Sequence, residues 1–247
     1  MPSSAKIFGS NVSAVLNCVS KKGSCYQRII LKLSGEAFSS QQSIELIGNQ
    51  ILDAAKLGME IGVVVGGGNL IRGKSAAGIE RKIADRIGLI ATLVNGLILE
   101  NLLKKSAKVR HLSTLPIHSI VETYLPELAI DALKTRHILV LSGGTGNIYF
   151  TTDTAAALRA TELNANLLIK GTKVDGVYSA DPQKNPSAVK YDKITYKQAL
   201  SQDLKIMDST AFALCQENKI PIAVINIFKP KTLKKVLLGE KIGSIIC

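Results

Sequence analysis

Short, unbroken apolar runs rich in β-branched residues recur along the chain, at Arg28 to Leu33, Ile61 to Val65, His137 to Leu141, Asn166 to Ile169 and Ile222 to Ile227. Runs of this length that do not alternate with polar positions are the pattern of strands buried on both faces. Between them the apolar period lengthens to that of a helix. Ile44, Ile47, Ile51, Ala54 and Ala55 share one helical face, and Gly58 follows as a stop signal. Ile83, Ile87, Ile90, Val94, Leu97 and Leu102 form a second stripe, which predicts a helix from about Ile83 to Lys105 with that stripe in the core. Asp85, Gly88, Thr92, Asn95 and Gly96 make a line of small or polar positions on the same helix. Such a line lets a helix, a subunit or, at Asp85, a ligand come close. Further helices are expected after Thr152 or Asp153 as N-cap, after Thr195, after Asp208 or Ser209, and over Pro230 to Leu238. Strands alternating with helices predict an α/β fold, a three-layer αβα sandwich around a mostly parallel central sheet.

In open α/β sheets ligands bind beyond the carboxyl ends of the strands, and the loops at those ends are rich in glycine. The first run ends in Lys32-Leu33-Ser34-Gly35-Glu36. Lys32 reads either as an edge-strand lysine or as a phosphate contact, and the flexible Gly35 beside it favours the second. The next run leads into Gly66-Gly67-Gly68 and then Arg72. Three residues without Cβ let backbone N–H groups close on an anion, and a guanidinium can complete the site with a bidentate fork. A tight turn is the plainer explanation, although one or two glycines would suffice for it. The loop matches neither the P-loop nor the dinucleotide fingerprint. After the third run, Thr145, Gly146, Asn147, Ile148, Tyr149, Phe150, Thr151 and Thr152 combine hydroxyls, an amide and an aromatic pair. They suit a base, with phosphate at the start of the following helix. Asp153 reads equally as a helix cap or as a functional carboxylate. The fourth loop runs from Lys170 through Thr172, Lys173 and Tyr178 to Asp181. Its Asp-Gly and Asp-Pro pairs are turn chemistry, while its lysines suit a polyphosphate.

Charge widens the list of partners and composition narrows it. A net charge of +12 admits nucleic acid, anionic membrane or phosphorylated small molecules. The basic residues are spread along the chain, there is no Trp, aromatics are 4% and no nucleic-acid signature is present, so nucleic acid is not expected. The densest basic patch, Lys104, Lys105, Lys108 and Arg110, reads as a solvated helix end. The apolar stretch Ile87 to Leu103 is shorter than the ~20 residues of a membrane span and contains Asn95 and Glu100, so it reads as a buried helix and no membrane association is expected. Cys18, Cys25, Cys215 and Cys247 are scattered without metal-ligand spacing, which fits a reducing cytoplasm and no structural metal. His111, His118 and His137 are isolated packing or surface histidines, and no Ser/His/Asp arrangement is apparent. Residues 1–25 read as a loosely ordered extension ahead of a single domain over residues 26–247.

The segments LKLSGE, VVGGGNLIRG, GTGNIYFTTD, KGTKVDGVYSADP and IMDSTAF occur in the order seen in bacterial UMP kinases of the amino-acid kinase family, and the similarity runs from about Tyr26 to the C-terminus. The resemblance implies the amino-acid kinase fold, with the acceptor side built by residues up to about 150 and the ATP side from about 165. It implies phosphorylation of UMP to UDP in pyrimidine biosynthesis, by in-line transfer from ATP carrying Mg²⁺. By the same resemblance Lys32, Leu33, Ser34 and Gly35 line the donor phosphates, Gly67 and Asp85 meet UMP, and Gly68 and Arg72 contact phosphates near the transfer point. Thr145 through Thr152 would hold UMP. Thr172, Tyr178 and Asp181 would sit at the ATP nucleoside, Asp153 would orient the lysines Lys32 and Lys170, and Asp208 would lie near the reacting phosphates. A phosphate nucleophile needs no catalytic base. A homohexamer and inhibition by UTP are also implied.

Three departures stand out. Ile148 replaces the family's usual proline, the segment from Phe38 to Ile44 is shorter than the region associated with GTP activation, and the N-terminal extension has no counterpart. Two rival readings remain: a kinase for another phosphate acceptor such as an isoprenyl monophosphate, against which the polar Thr145-Gly146-Asn147 segment argues, and a non-enzymatic nucleotide-fold protein.

Overall fold

The computed structural model describes residues 26–71, 78–182, 184–185 and 187–247. The expected N-terminal extension and Arg72 therefore lie outside the described residues.

In chain order, β1 (Arg28–Leu33) passes through a 3₁₀ turn (Gly35–Phe38) into α1 (Gln41–Ala55), β2 (Glu60–Val65), α2 (Arg81–Leu103), β3 (Val109–Ser113) and β4 (Glu122–Thr123). There follow α3 (Pro126–Lys134), β5 (Ile138–Ser142), α4 (Thr152–Glu162) and β6 (Leu167–Thr172). Next come the short strands β7 (Val177–Tyr178), β8 (Lys190–Tyr191) and β9 (Lys193–Ile194), then α5 (Tyr196–Ser201) and α6 (Ser209–Glu217). The chain ends with β10 (Ile222–Asn226), α7 (Thr232–Leu237) and β11 (Ser244–Ile246). One nine-stranded sheet has the order β4-β3-β5-β2-β1-β6-β10-β11-β9. Its neighbours pair in parallel except β10 with β11.

Alternate residues of each strand enter two separate cores. Ile30, Leu139, Leu168 and Val224 pack on one face against the alanines of α4 and against Phe212 and Cys215 of α6. Ile29, Leu31, Val63, Ile169 and Ile225 pack on the other against Ile47 and Ile51 of α1 and Leu233 and Leu237 of α7. The three-layer expectation therefore holds, because only a sheet covered on both faces removes both sets from water.

Several local expectations are corrected. Most of the stripe of α2 assigned to the core faces outward: Ile83 is 42% exposed, Ile90 51% and Val94 42%, with Ile87 similar, and Ile98 joins them. Leu97 is half-buried, and Leu102 packs against the core as expected. The line buried instead contains Ala84, Ala91, Thr92, Asn95, Gly96, Leu99 and Leu103. Close approach explains the reversal, since a Cβ on Gly96 would lie 2.6 Å from His111 Nε2, and only the line of small residues fits against the strand ends. The helix is thus buried along one line, a different one from the stripe expected in the core. The basic patch is a helix end only in part: Lys104 is the exposed C-cap of α2 and Lys105 follows it, whereas Arg110 lies on β3, paired with Glu122 at 2.7 Å and Asp131 at 3.6 Å. That strand escaped notice because Arg110 and His111 break its apolar run. The N-cap of α4 is Thr151, whose hydroxyl accepts from the Asp153 and Thr154 amides, and not Thr152 or Asp153. Finally, β6 extends to Thr172, so Lys170 stands on a strand and not in a loop.

Candidate active site

From β1 the sheet grows through β2 and β5 toward one edge, whereas β6 and β10 add on the other side. The strand order reverses between β1 and β6, and the crevice beyond their carboxyl ends is where such sheets bind ligands. Lys32 on β1 and Lys170 on β6 are register partners there. Strand alternation sends both side chains to the α4 face, at the point where the apolar sequence Ile30, Leu168 gives way to polar residues. Two ammonium groups on adjacent strands repel. Asp153, in the first turn of α4, stands between them, with Oδ2 2.7 Å from Lys170 Nζ and Oδ1 2.8 Å from Lys32 Nζ. The second contact is an ion pair without well-directed hydrogen-bond geometry. Lys170 also donates to the Ile206 carbonyl at 2.6 Å.

All three side chains are largely buried, at 10%, 12% and 19% exposed for Lys32, Asp153 and Lys170. Burial alone would raise the Asp153 carboxyl, but the two lysines more than offset it and hold it below the ordinary carboxylate range. Burial lowers Lys170, and Asp153 opposes that only in part. The edge-strand explanation of Lys32 fails, since β1 lies between β2 and β6. The cap explanation of Asp153 fails as well, because Thr151 does the capping.

Two helix N-termini meet at this point. Asp208 caps α6 by accepting from the Ala211 amide at 3.0 Å, and it also accepts from the hydroxyls of Thr154, at 2.9 Å, and Thr151. The amino ends of α4 and α6 therefore converge beside the lysines, adding partial positive charge where an anion would sit.

A cavity of about 470 Å³ opens on one side. It brings together Gly67, Gly68, Asp85, Asn147, Ile148, Tyr149, Phe150, Thr151 and Thr152 from the sequence-based set. Thr145 and Gly146 are not among its lining residues, and the Thr145 hydroxyl turns back onto the Asn147 backbone. Asp85 Oδ2 accepts from the Tyr149 amide at 3.0 Å. Arg81, which sequence reasoning missed, lies over the Tyr149 ring with its guanidinium carbon 5.3 Å from the centroid. Thr92 and Leu89 also line the cavity without having been singled out as ligand contacts. Helical spacing already puts them on one face with Asp85, and the packing of α2 shows that this face borders the cavity. Gly35 has no room for a side chain, since a Cβ there would lie 2.4 Å from the amides of Gly68 and Asn69. The loops after β1 and β2 thus pack backbone to backbone, placing Leu33, Ser34 and Gly35 against the glycine run.

A second cavity of about 500 Å³ is lined by Lys170, Thr172, Tyr178 and Asp181, as expected, and by Leu204, Lys205 and Ile206. The last three come from the connection between α5 and α6, where Ile206 opens the IMDSTAF segment while Leu204 and Lys205 carry no pattern that marks them. Lys170 lines this cavity, and Thr152, next to Asp153, lines the other. The Lys32–Asp153–Lys170 group therefore stands between the two.

One arrangement contradicts the reading of His111 as isolated. His111 Nδ1 lies 3.0 Å from Glu100 and Nε2 2.8 Å from Ser142 Oγ, a Ser/His/Glu row. Its members are 31 and 11 positions apart and so invisible as a motif. Ser142 and His111 are only 3% and 5% exposed, which closes the row to substrate. Burial keeps the histidine neutral despite Glu100, so Nδ1–H donates to the carboxylate and Nε2 accepts from the serine. Among the described residues no group of three or more His, Cys, Asp or Glu is placed to hold a metal.

A model of the amino acid kinase family matches residues 27–226. The chain is 42% identical over 231 residues to a uridylate kinase of Klebsiella pneumoniae, covering 90% of this chain and 96% of that one, and equally to one of Salmonella typhimurium. A UMP kinase structure from Bacillus anthracis superposes with a TM-score of 0.87 at 34% identity, covering 90% and 96% of the two chains. One from Ureaplasma parvum gives 0.84 at 38%, covering 89% and 98%. With a lysine pair at the strand switch point, a carboxylate between them and this extent of likeness, the chain belongs to the amino acid kinase family.

Proposed function

We propose that this protein is an ATP-dependent kinase that phosphorylates UMP to UDP. The observation that carries the reading is the buried Lys32–Asp153–Lys170 group between two nucleotide-sized cavities. UMP occupies the cavity bounded by Asp85 and the Asn147–Thr152 loop, and ATP the one bounded by Thr172, Tyr178 and Asp181. The names of the relatives support this choice of substrates. The acceptor phosphate is itself the nucleophile, so the protein's task is to place two polyanions end to end and to stabilise the charge on the phosphoryl group in flight. Lys32, Lys170 and the amides of the Gly66–Gly68 loop do so, while Asp153 keeps both ammonium groups oriented. Mg²⁺ bound to the ATP phosphates would supply further charge neutralisation, and Asp208, whose oxygens are held by hydroxyls and an amide, is the carboxylate that would face it. ADP release from MgATP measured across UMP, CMP, dUMP, AMP and isopentenyl phosphate tests the assignment. UMP should be preferred, because a site that hydrogen-bonds a particular group penalises its absence. Equal kcat/KM for UMP and CMP would sink it.

The outward stripe of α2, five large aliphatic side chains over about 22 Å of helix, is what a second copy would cover, and it supports self-association on the way to a hexamer. Ile90→Glu should shift the sedimentation velocity profile to a smaller species, and an unchanged profile would remove the stripe from the interface. A reducing cytoplasm suits the free, buried Cys215.

Regulation follows from the connection to α1. Between the 3₁₀ turn ending at Phe38 and α1 there are only Ser39 and Ser40, the latter its N-cap. An effector acts only through contacts that differ between two states, and two residues provide few of them. GTP activation should be weak or absent, while UTP inhibition persists through the UMP pocket. Initial rates at subsaturating ATP decide this, and several-fold activation by GTP would overturn it.

A further inference from the structure

We infer that Thr92 and Asn95, one turn apart on the buried line of α2, are positioning residues that hold the acceptor loop and the glycine loop at a set separation, so that acceptor and donor phosphates meet in line. The inference rests on the kinase reading for its catalytic consequence and on geometry for the rest.

Thr92 Oγ1 donates to the Leu89 carbonyl at 2.6 Å and accepts from the Gly143 amide at 2.7 Å. Gly143 is the first residue after β5, and its φ of 78° turns the chain into the acceptor loop. Its carbonyl is held by Thr114 Oγ1 at 2.7 Å. Both peptide groups that set the direction of the loop are thus tied down, one of them to α2. Asn95 is fully buried. Its Nδ2 donates to the Gly66 carbonyl at 2.6 Å and to Asn69 Oδ1 at 2.7 Å, and its Oδ1 faces Asn69 Nδ2 at 3.3 Å. The Gly66 amide in turn donates to Leu33 of β1 at 2.8 Å. Gly66 is therefore fixed from two elements, and the amides of Gly67 and Gly68 inherit its orientation. The helix can sit this close because a Cβ on Gly67 would lie only 2.7 Å from the Gly88 carbonyl. One rigid helix thereby spaces the two loops, and a buried amide with every polar group paired is a poor candidate for mere filler.

Thr92→Val keeps shape and removes the hydroxyl, Thr92→Ser keeps the hydroxyl, and Asn95→Leu keeps approximate size without polar groups. Thr92→Val should raise the KM for UMP about tenfold, the effect of leaving one buried amide unpaired, with the KM for ATP within about twofold, and Thr92→Ser should restore it. Asn95→Leu should lower kcat about tenfold. Hydrogen–deuterium exchange without substrate gives an independent reading: the peptide over residues 143–150 should exchange faster only in Thr92→Val, and that over residues 66–71 only in Asn95→Leu. If Asn95→Leu fails to fold, Asn69→Ala breaks the same amide pair from the loop side. Lower thermal stability with unchanged KM, kcat and local exchange would reduce both residues to structural ones. A wild-type protein that turns over no UMP would sink the kinase reading alone, since the exchange pattern still decides whether the helix holds the loops.

Discussion

Lys32→Ala is expected to lower kcat/KM for UMP phosphorylation by at least about a hundredfold, the scale on which a preorganised charge at a transition state is lost. Lys32 is not a general surface cation. It lies on a central strand, largely buried, with its ammonium 2.8 Å from Asp153 and in register with Lys170. Its burial is stable only because Asp153 accompanies it, and such a charge gains most when a second anion arrives in the same low-dielectric space. The loss should appear mainly in kcat, because the charge on the phosphoryl group in transfer exceeds that in the ground state at this position. A correctly folded Lys32→Ala protein with near-wild-type kinetics would return the lysine to a structural role.

Asp153→Asn should both abolish most activity and destabilise the fold by about 3–5 kcal/mol, since it leaves two buried ammonium groups without a counter-charge. A fall in Tm on the order of 10 °C follows for a chain of this size. The pH dependence distinguishes this mechanism from simple loss of packing. In the wild type the folded pKa of Asp153 is depressed, burial being outweighed by Lys32 and Lys170. Its contribution is therefore present above the unfolded value of ~3.9 and lost as pH falls through the folded one. The variant lacks that acid limb. Lys170 is shifted downward by burial, so the unfolded chain binds more protons and stability rises with pH across its window. Without Asp153 the shift deepens, and the variant should gain more stability than wild type as pH rises from neutral toward the unfolded lysine value of ~10.4. Urea melts across that range that run parallel for the two proteins would exclude the electrostatic account.

The layered α/β architecture was legible in the chain's pattern, because continuous apolar runs alternating with helical stripes call for a sheet covered on both faces. The sequence also marked the loops that matter, since glycine clusters at strand ends carry their own physical meaning. Lys32, Thr151 and Thr152 were singled out in this way and Asp85 from its place at the start of a helix, whereas Thr172, Tyr178 and Asp181 were assigned only through the family resemblance. The fold brings Asp85, Thr151 and Thr152 to one cavity and the last three to the other. Tertiary structure decided what periodicity leaves degenerate. Helix α2 has two stripes of which either satisfies a helical period, and contact distance at Gly67 and Gly96, not hydrophobicity, selected the polar one for burial and turned Ile83, Ile90 and Val94 outward. Asp153 at the start of a helix was ambiguous until Thr151 was seen to cap it. Lys170 gained its meaning from strand register beside Lys32, more than a hundred residues away, and the Glu100–His111–Ser142 row from the pairing of β3 with β5. Local pattern records which surfaces avoid water, whereas the partner of a charge or an amide is set by which strands become neighbours, and that is a property of the whole chain.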